Sequence, residues 1–211
     1  MSRPDRLVVV AGTDTEVGKT WVTCRVADHL RRAGRTIAVR KPVQSFLAGD
    51  GATDAELLGR ASGEDPQRVC PTHRWYGVPM APFMAADALG LPEFTLADLA
   101  DEVSCSWCAP TDIALVESAG GTRSPMTHDG GDTVDLAAAL EADRVVLVAH
   151  AGLGTINAVR LSLDALASFA VVVFLNRYDD TRDVDVRNCD WLRRNTPSPV
   201  VTDITALAHT L

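Results

Sequence analysis

This sequence predicts an α/β fold, a doubly wound, mainly parallel sheet with helices on both faces. Three observations point to it. Short β-branched runs alternate with helical stretches along the chain. The runs are continuously apolar rather than alternating, which is the pattern of parallel strands covered on both sides. The first run passes through a turn ending in Gly-Lys-Thr directly into a helical stretch, the strand–turn–helix order of an α/β unit.

Taken in order, strands are expected at Leu7 to Ala11, Thr36 to Arg40, Ile113 to Glu117, Val145 to Ala149, Val171 to Leu175 and Pro199 to Thr202. Between them fall helices at Lys19 to Ala33, Asp54 to Ser62, Leu96 to Cys105, Thr133 to Glu141, Thr155 to Ser168 and Val184 to Asn195. Gly34 follows the first helix where a C-terminal cap is expected. The stretch from Pro66 to Pro92 is rich in proline, aromatics and Met, and reads as a long irregular excursion with one short helix near Phe83 to Leu89. No linker composition or repeat divides the chain, so residues 1–211 are expected to form a single domain.

Composition narrows the function classes. The 211 residues carry a net charge of −8, which argues against a nucleic-acid partner and against an anionic membrane surface. The longest apolar runs, such as Val171 to Leu175, are far too short to span a bilayer, and the N-terminus has no signal-peptide core. A cytoplasmic location is therefore expected. An odd set of five cysteines fits reduced thiols. Cys105 and Cys108 have the spacing of a redox or zinc pair, but no second pair accompanies them, so they read as two small buried side chains near a helix end. The basic residues number 20, and only Lys19 and Lys41 are lysines. Where arginine is used almost everywhere, a retained lysine suggests a need for a compact point charge.

The turn Gly12-Thr13-Asp14-Thr15-Glu16-Val17-Gly18-Lys19-Thr20 carries the most specific signal. Backbone N–H groups of such a turn, and of the helix start behind it, point at an anion. Gly18 permits close approach, Lys19 reaches the β- and γ-phosphates of a nucleoside triphosphate, and the Thr20 hydroxyl can ligate Mg²⁺. Five residues separate Gly12 from Gly18 instead of the usual four, so the loop is a variant. Glu117 ends a central strand, at the sheet edge where ligands of open α/β folds bind, and is a candidate metal carboxylate. Asp54 begins a helix, and by position alone reads first as a cap or first-turn carboxylate.

With these motifs assembled, the chain resembles the dethiobiotin synthetase family. The resemblance is carried by GTDTEVGKT at 12–20, Lys41-Pro42-Val43-Gln44-Ser45, Thr53-Asp54 with Leu57-Leu58, and Pro79-Met80-Ala81-Pro82. It continues through Leu115 to Gly121, Gly152 to Asn157, and Asn176. It implies an ATP- and Mg²⁺-dependent ligase that joins CO₂ to 7,8-diaminononanoate, with no covalent nucleophile from the protein. It implies that Asp14, Glu16, Val17, Gly18, Lys19 and Thr20 hold the nucleotide phosphates and that Asn176 reads the purine. Thr15, Lys19 and Lys41 would serve the reacting centre, and Thr20, Asp54 and Glu117 would hold Mg²⁺. Lys41, Ser45, Gly120 and Gly121 would contact the diamine or its carbamate. Gly154 and Asn157 would bind the substrate tail across a homodimer interface.

Four departures from the family pattern carry expectations. Ser118 stands at a usual glycine and would be strained if that position needs positive φ. Phe46 replaces a glycine and is expected to shrink the substrate pocket. His150 is unusual near a strand end; with His73 and His128 it reads as a surface or loop histidine. The chain ends soon after Thr202, so a reduced base pocket is expected. Two alternatives remain at this point: a related ATP-dependent ligase acting on a different amine or carboxylate, which Phe46 would favour, and a nucleotide switch. Asp14, where such switches often carry a second lysine, weighs against the latter.

Overall fold

The computed structural model describes residues 3–211. Its elements are β1 (Arg6–Gly12), α1 (Lys19–Arg32), β2 (Ile37–Arg40), β3 (Gln44–Ser45), α2 (Asp54–Ser62), α3 (Pro66–Val69), β4 (Trp75–Tyr76), α4 (Pro82–Ala88), α5 (Leu96–Cys105), β5 (Ile113–Glu117), α6 (Thr133–Ala139), β6 (Arg144–His150), α7 (Thr155–Ala165), β7 (Val171–Asn176), α8 (Asp183–Asn195), β8 (Val200–Val201) and α9 (Ile204–Ala208). Six strands form one parallel sheet in the order β2-β5-β1-β6-β7-β8. The chain leaves β1 toward one edge and later returns to the other side of β1 through β6, so β1 lies at the crossover where α/β sheets open a crevice.

The apolar runs are explained by burial on both faces. Leu7, Val9 and Ala11 of β1 enter one core cluster, while Val8 and Val10 enter the other. Facing the second cluster, α1 buries Val22, Val26 and Leu30, one residue per turn. Each fully buried Val or Leu contributes about 1.5–3 kcal/mol, which is why both alternating sets must be apolar. Gly34, at φ 84°, closes α1 with its N–H on the Arg31 carbonyl.

The irregular stretch is more structured than its sequence suggests. It contains α3, a 3-10 turn at Thr72–Arg74, β4 and α4. Gln44 pairs with Trp75 and Ser45 with Tyr76 in a two-stranded parallel ribbon that sits beside the main sheet. Neither β3 nor β4 is expected from periodicity, because two residues carry none. For the same reason the five-residue α9 goes unread, and α7 stops at Ala165, three residues short of expectation.

Candidate active site

The phosphate loop is tied down twice where it leaves β1. The Thr13 N–H donates to the Val148 carbonyl at 3.0 Å, and the Thr122 hydroxyl donates to the Gly12 carbonyl at 2.9 Å. Gly18 caps α1 in the left-handed region at φ 94°, and a Cβ there would collide with the Asn176 amide. No side chain caps α1 and no acidic residue occupies its first turn. The first backbone N–H groups of this helix thus face outward without competition, a ready anion site.

Lys19 curls back over the loop. Its ammonium donates to the Gly120 carbonyl at 2.7 Å and the Asp14 carbonyl at 3.0 Å. Burial, reinforced by the nearby charge of Lys41, lowers its pKa to about 8. Lys41 has the opposite surroundings. Its ammonium lies 2.7 Å from Glu117 Oε1, 2.9 Å from Asp54 Oδ2 and 3.3 Å from the Ser118 carbonyl. Burial alone would lower its pKa, but the charges of Asp54 and Glu117 outweigh it and hold the group above the ordinary lysine range. Lys41 in turn holds the Asp54 carboxyl below its usual range.

Three oxygens converge opposite these ammonium groups. Thr20 Oγ1 lies 2.9 Å from Asp54 Oδ1 and 2.8 Å from Glu117 Oε1. One hydroxyl proton cannot serve both carboxylates at once. Glu117 Oε2 is buried with no hydrogen-bond partner. Two carboxylates and a hydroxyl, with one carboxylate oxygen unsatisfied, match the oxygen donors that Mg²⁺ uses when phosphates and waters complete its shell. No group of three or more His, Cys, Asp or Glu side chains among the described residues is placed to hold a metal ion, and the donors here are two carboxylates and a hydroxyl.

Ten of the expected residues line one cavity of about 300 Å³: Thr15, Glu16, Gly18, Lys19, Thr20, Lys41, Ser45, Asp54, Glu117 and Gly120. Asn176 instead lines a second cavity of about 420 Å³ on the other side of Gly18, with Trp21, Phe174, Tyr178 and Asp203. Its Nδ2 donates to the Val17 carbonyl at 2.8 Å, so Val17 contributes its backbone and buries its side chain. Asp14 lines neither cavity; its carboxylate accepts from the Thr15 N–H at 2.7 Å and shapes the turn. Gly121 packs beneath the loop, where a Cβ would stand 3.2 Å from the Thr13 carbonyl. Gly154 and Asn157 are exposed at the start of α7 and reach neither cavity.

A family model described as an AAA domain matches residues 6–209. The chain is 42% identical to an ATP-dependent dethiobiotin synthetase BioD of Rhodococcus jostii (strain RHA1), over 77% of this chain and 68% of that one. It is 38% identical to another of the same name from Anaeromyxobacter sp. (strain Fw109-5), over 86% of this chain and 81% of that one. The chain belongs to the dethiobiotin synthetase family. Among solved structures it resembles cobyrinic acid a,c-diamide synthase from Mycobacterium smegmatis, solved with an ATP analogue and magnesium, at TM-score 0.54 and 13% identity over 97% of this chain and 91% of that one. It also resembles the chloroplast FtsY of Physcomitrella patens, at TM-score 0.54 and 15% identity over 99% of this chain and 65% of that one. At such identities these likenesses establish the fold alone.

Several expectations for this dethiobiotin synthetase relative need correction. Ser118 is unstrained: positive φ among its non-glycine residues occurs at Glu16, Glu141 and Arg177. Its buried hydroxyl donates to the Val10 carbonyl at 3.2 Å and braces β5 against β1. Phe46 does not narrow the cavity; its ring packs edge-on against Trp75, with centroids 6.4 Å apart. Cys105 and Cys108 are exposed rather than buried, because Trp107 between them takes the buried place at this end of α5. The second cavity has Thr202, Asp203 and Ile204 along its wall. Sequence reading also missed Gln44, which is buried and lines the charged cavity.

Proposed function

We propose that this chain converts 7,8-diaminononanoate, CO₂ and ATP to dethiobiotin, ADP and phosphate. The observation that carries the reading is the convergence of Lys19 and Lys41 with Thr20, Asp54 and Glu117 in one cavity beside the open N-terminus of α1. No helix among the described residues is long and apolar enough to cross a membrane. A cytoplasmic homodimer is part of the proposal, supported by five free cysteines and by Leu153, 95% exposed, on the loop leading into α7.

The chemistry asks for positioning and charge neutralisation. One substrate amine adds to CO₂ and loses a proton, giving a carbamate. A carbamate oxygen then attacks the γ-phosphorus, the bond to the β–γ bridging oxygen breaks, and ADP leaves. The second amine attacks the carbonyl of the mixed anhydride and expels phosphate as the ring closes. The α1 N–H groups and Lys19 hold the phosphates and meet the charge that develops on the transferred group. Lys41, kept protonated by Asp54 and Glu117, stands at the other side of the same cavity to hold the carbamate. Thr20, Asp54 and Glu117 would hold Mg²⁺, which when bound neutralises triphosphate charge. Phe46, turned onto Trp75, leaves nothing that favours a different acceptor.

The test is direct. The protein is incubated with ATP, Mg²⁺, bicarbonate and 7,8-diaminononanoate, and the products are weighed by mass spectrometry. Dethiobiotin formed in step with ADP is expected. ATP hydrolysis without dethiobiotin would overturn the reading.

A further inference from the structure

Gln44 is the feature of the charged cavity that this mechanism does not use. It lies on β3, is 2% exposed, and lines the cavity with Lys41 and Asp54. Its Oε1 accepts the Ala55 N–H of the first turn of α2 at 3.0 Å. Only an acceptor can meet that N–H, so the amide orientation is fixed: oxygen toward α2, nitrogen elsewhere. Nε2 is buried and has no partner. A buried amide nitrogen left without an acceptor is rare in folded proteins, and one at a reaction site points to a missing ligand atom.

The chemistry of that atom is restricted. An amide N–H donates and cannot ligate a cation, so Nε2 is no part of the metal set of Thr20, Asp54 and Glu117. It requires an acceptor oxygen. Around the cavity the Thr15, Thr20 and Ser45 hydroxyls already donate within the protein, which leaves Lys19, Lys41 and Gln44 Nε2 as donors, and the side-chain carboxylates are engaged by Lys41 and Thr20 except for Glu117 Oε2, an oxygen of the metal set. The free acceptors in the proposed reaction are the phosphate oxygens and the carbamate. Lys19 and the α1 N–H groups serve the phosphates. The carbamate has two equivalent oxygens, of which one attacks phosphorus and the other needs a donor.

We propose that Gln44 Nε2 donates to the non-attacking oxygen of the substrate carbamate and so selects which oxygen faces the γ-phosphate. The inference rests on the dethiobiotin-forming reading above. Gln44 is then a substrate-contacting donor as well as the brace that sets Ala55, and with it Asp54, at the start of α2.

Two variants separate these roles. Gln44→Glu keeps an acceptor for the Ala55 N–H and removes the donor; Gln44→Leu removes both. Initial rates are measured against diamine at saturating ATP and against ATP at saturating diamine, together with Tm. Both variants are expected to lose about tenfold or more in kcat/KM for the diamine, the size of one hydrogen bond to a charged group, with the KM for ATP unchanged. Gln44→Glu adds a carboxylate at a buried position and is expected to lower Tm, so both variants are assayed well below their Tm and the split between diamine and ATP kinetics carries the test. Wild-type diamine kinetics in Gln44→Glu would reduce Gln44 to a brace and overturn the inference, as would a parallel rise in the KM for ATP. If the wild-type protein makes dethiobiotin and the variants match it, this inference alone fails. If the wild-type protein makes none, the functional reading fails and takes this inference with it.

Discussion

Gly18 borders two cavities that share almost nothing else. On one side are Lys41, Asp54 and Glu117, packed at ion-pair distances, with Lys19 in the same cavity. On the other are Trp21, Phe174, Tyr178 and Ile204, with Asn176, Arg177, Thr202 and Asp203 as polar groups among them. The first cavity is dominated by charge, where each group depends on its neighbours because an unpaired buried charge is costly. The second is dominated by apolar and ring surface, where contacts tolerate substitution. Catalysis by phosphoryl transfer should therefore be brittle on one side of Gly18 and forgiving on the other.

The two lysines differ within the charged cavity itself. Lys41 is locked by two carboxylates, whereas Lys19 contacts only backbone carbonyls and has its pKa lowered to about 8. Lys19 is the group left under-neutralised, as expected of a cation that awaits phosphate. Lys19→Ala is expected to lower kcat by about 10²–10³ or more, the cost of removing one donor aimed at developing charge. A kcat within tenfold of wild type would break the comparison at its strongest point. Lys41→Arg keeps the charge but replaces a compact ammonium with a planar fork. Oxygens 2.7 to 3.3 Å from Nζ on Glu117, Asp54 and Ser118 leave no room for it. A loss of about tenfold or more in kcat/KM for the diamine is expected, smaller than for Lys19→Ala. Unchanged diamine kinetics would show that Lys41 acts as charge alone.

Asn176 joins the two cavities, since its amide lines the second while donating to the loop that builds the first. Asn176→Ala leaves the Val17 carbonyl without that donor, which costs about 1–3 kcal/mol in a buried setting. It also removes one of the polar groups that line the second cavity, where the proposed function places the base. The KM for ATP should rise by about tenfold, and any preference for ATP over GTP should weaken. A fall in Tm with nucleotide kinetics intact would make Asn176 a brace of the loop and nothing more.

What the sequence disclosed follows from the same physics. The phosphate loop is legible because its chemistry is local: nine consecutive residues supply the turn, the helix start and the lysine. Glu117 is legible because a strand end in a parallel sheet is a defined place. Asp54 is ambiguous in sequence and remains so locally, since it is the first residue of α2 and lies inside the Thr53–Glu56 capping box. Only its contacts with Thr20 and Lys41, from elements distant in the chain, bring it into the site. Gln44 is silent in sequence, because its role needs an N–H eleven residues further on and a strand only two residues long. Phe46 misleads for a related reason: its ring direction is set by Trp75 across the small ribbon. Family-level resemblance can place a residue in a segment, but it does not say where the side chain points.

Trp21 supplies the gentlest test of the comparison. It stands in the first turn of α1, is 52% exposed, lines the second cavity, and has the Arg25 guanidinium 5.8 Å from its ring centroid. An aromatic face so exposed is well placed to stack on a base, and stacking is indifferent to base identity because every base presents a π-face. Trp21→Ala should raise the KM for ATP by about fivefold, near the ~1 kcal/mol lower bound for such contacts. The KM for GTP should rise by the same factor and kcat should stay unchanged, because the ring lies outside the charged cavity. A drop in kcat would mean that the two cavities are mechanically coupled through α1. A change in the ATP-to-GTP ratio would mean that the base is read by ring contact, and the division between a brittle and a forgiving side would have to be redrawn.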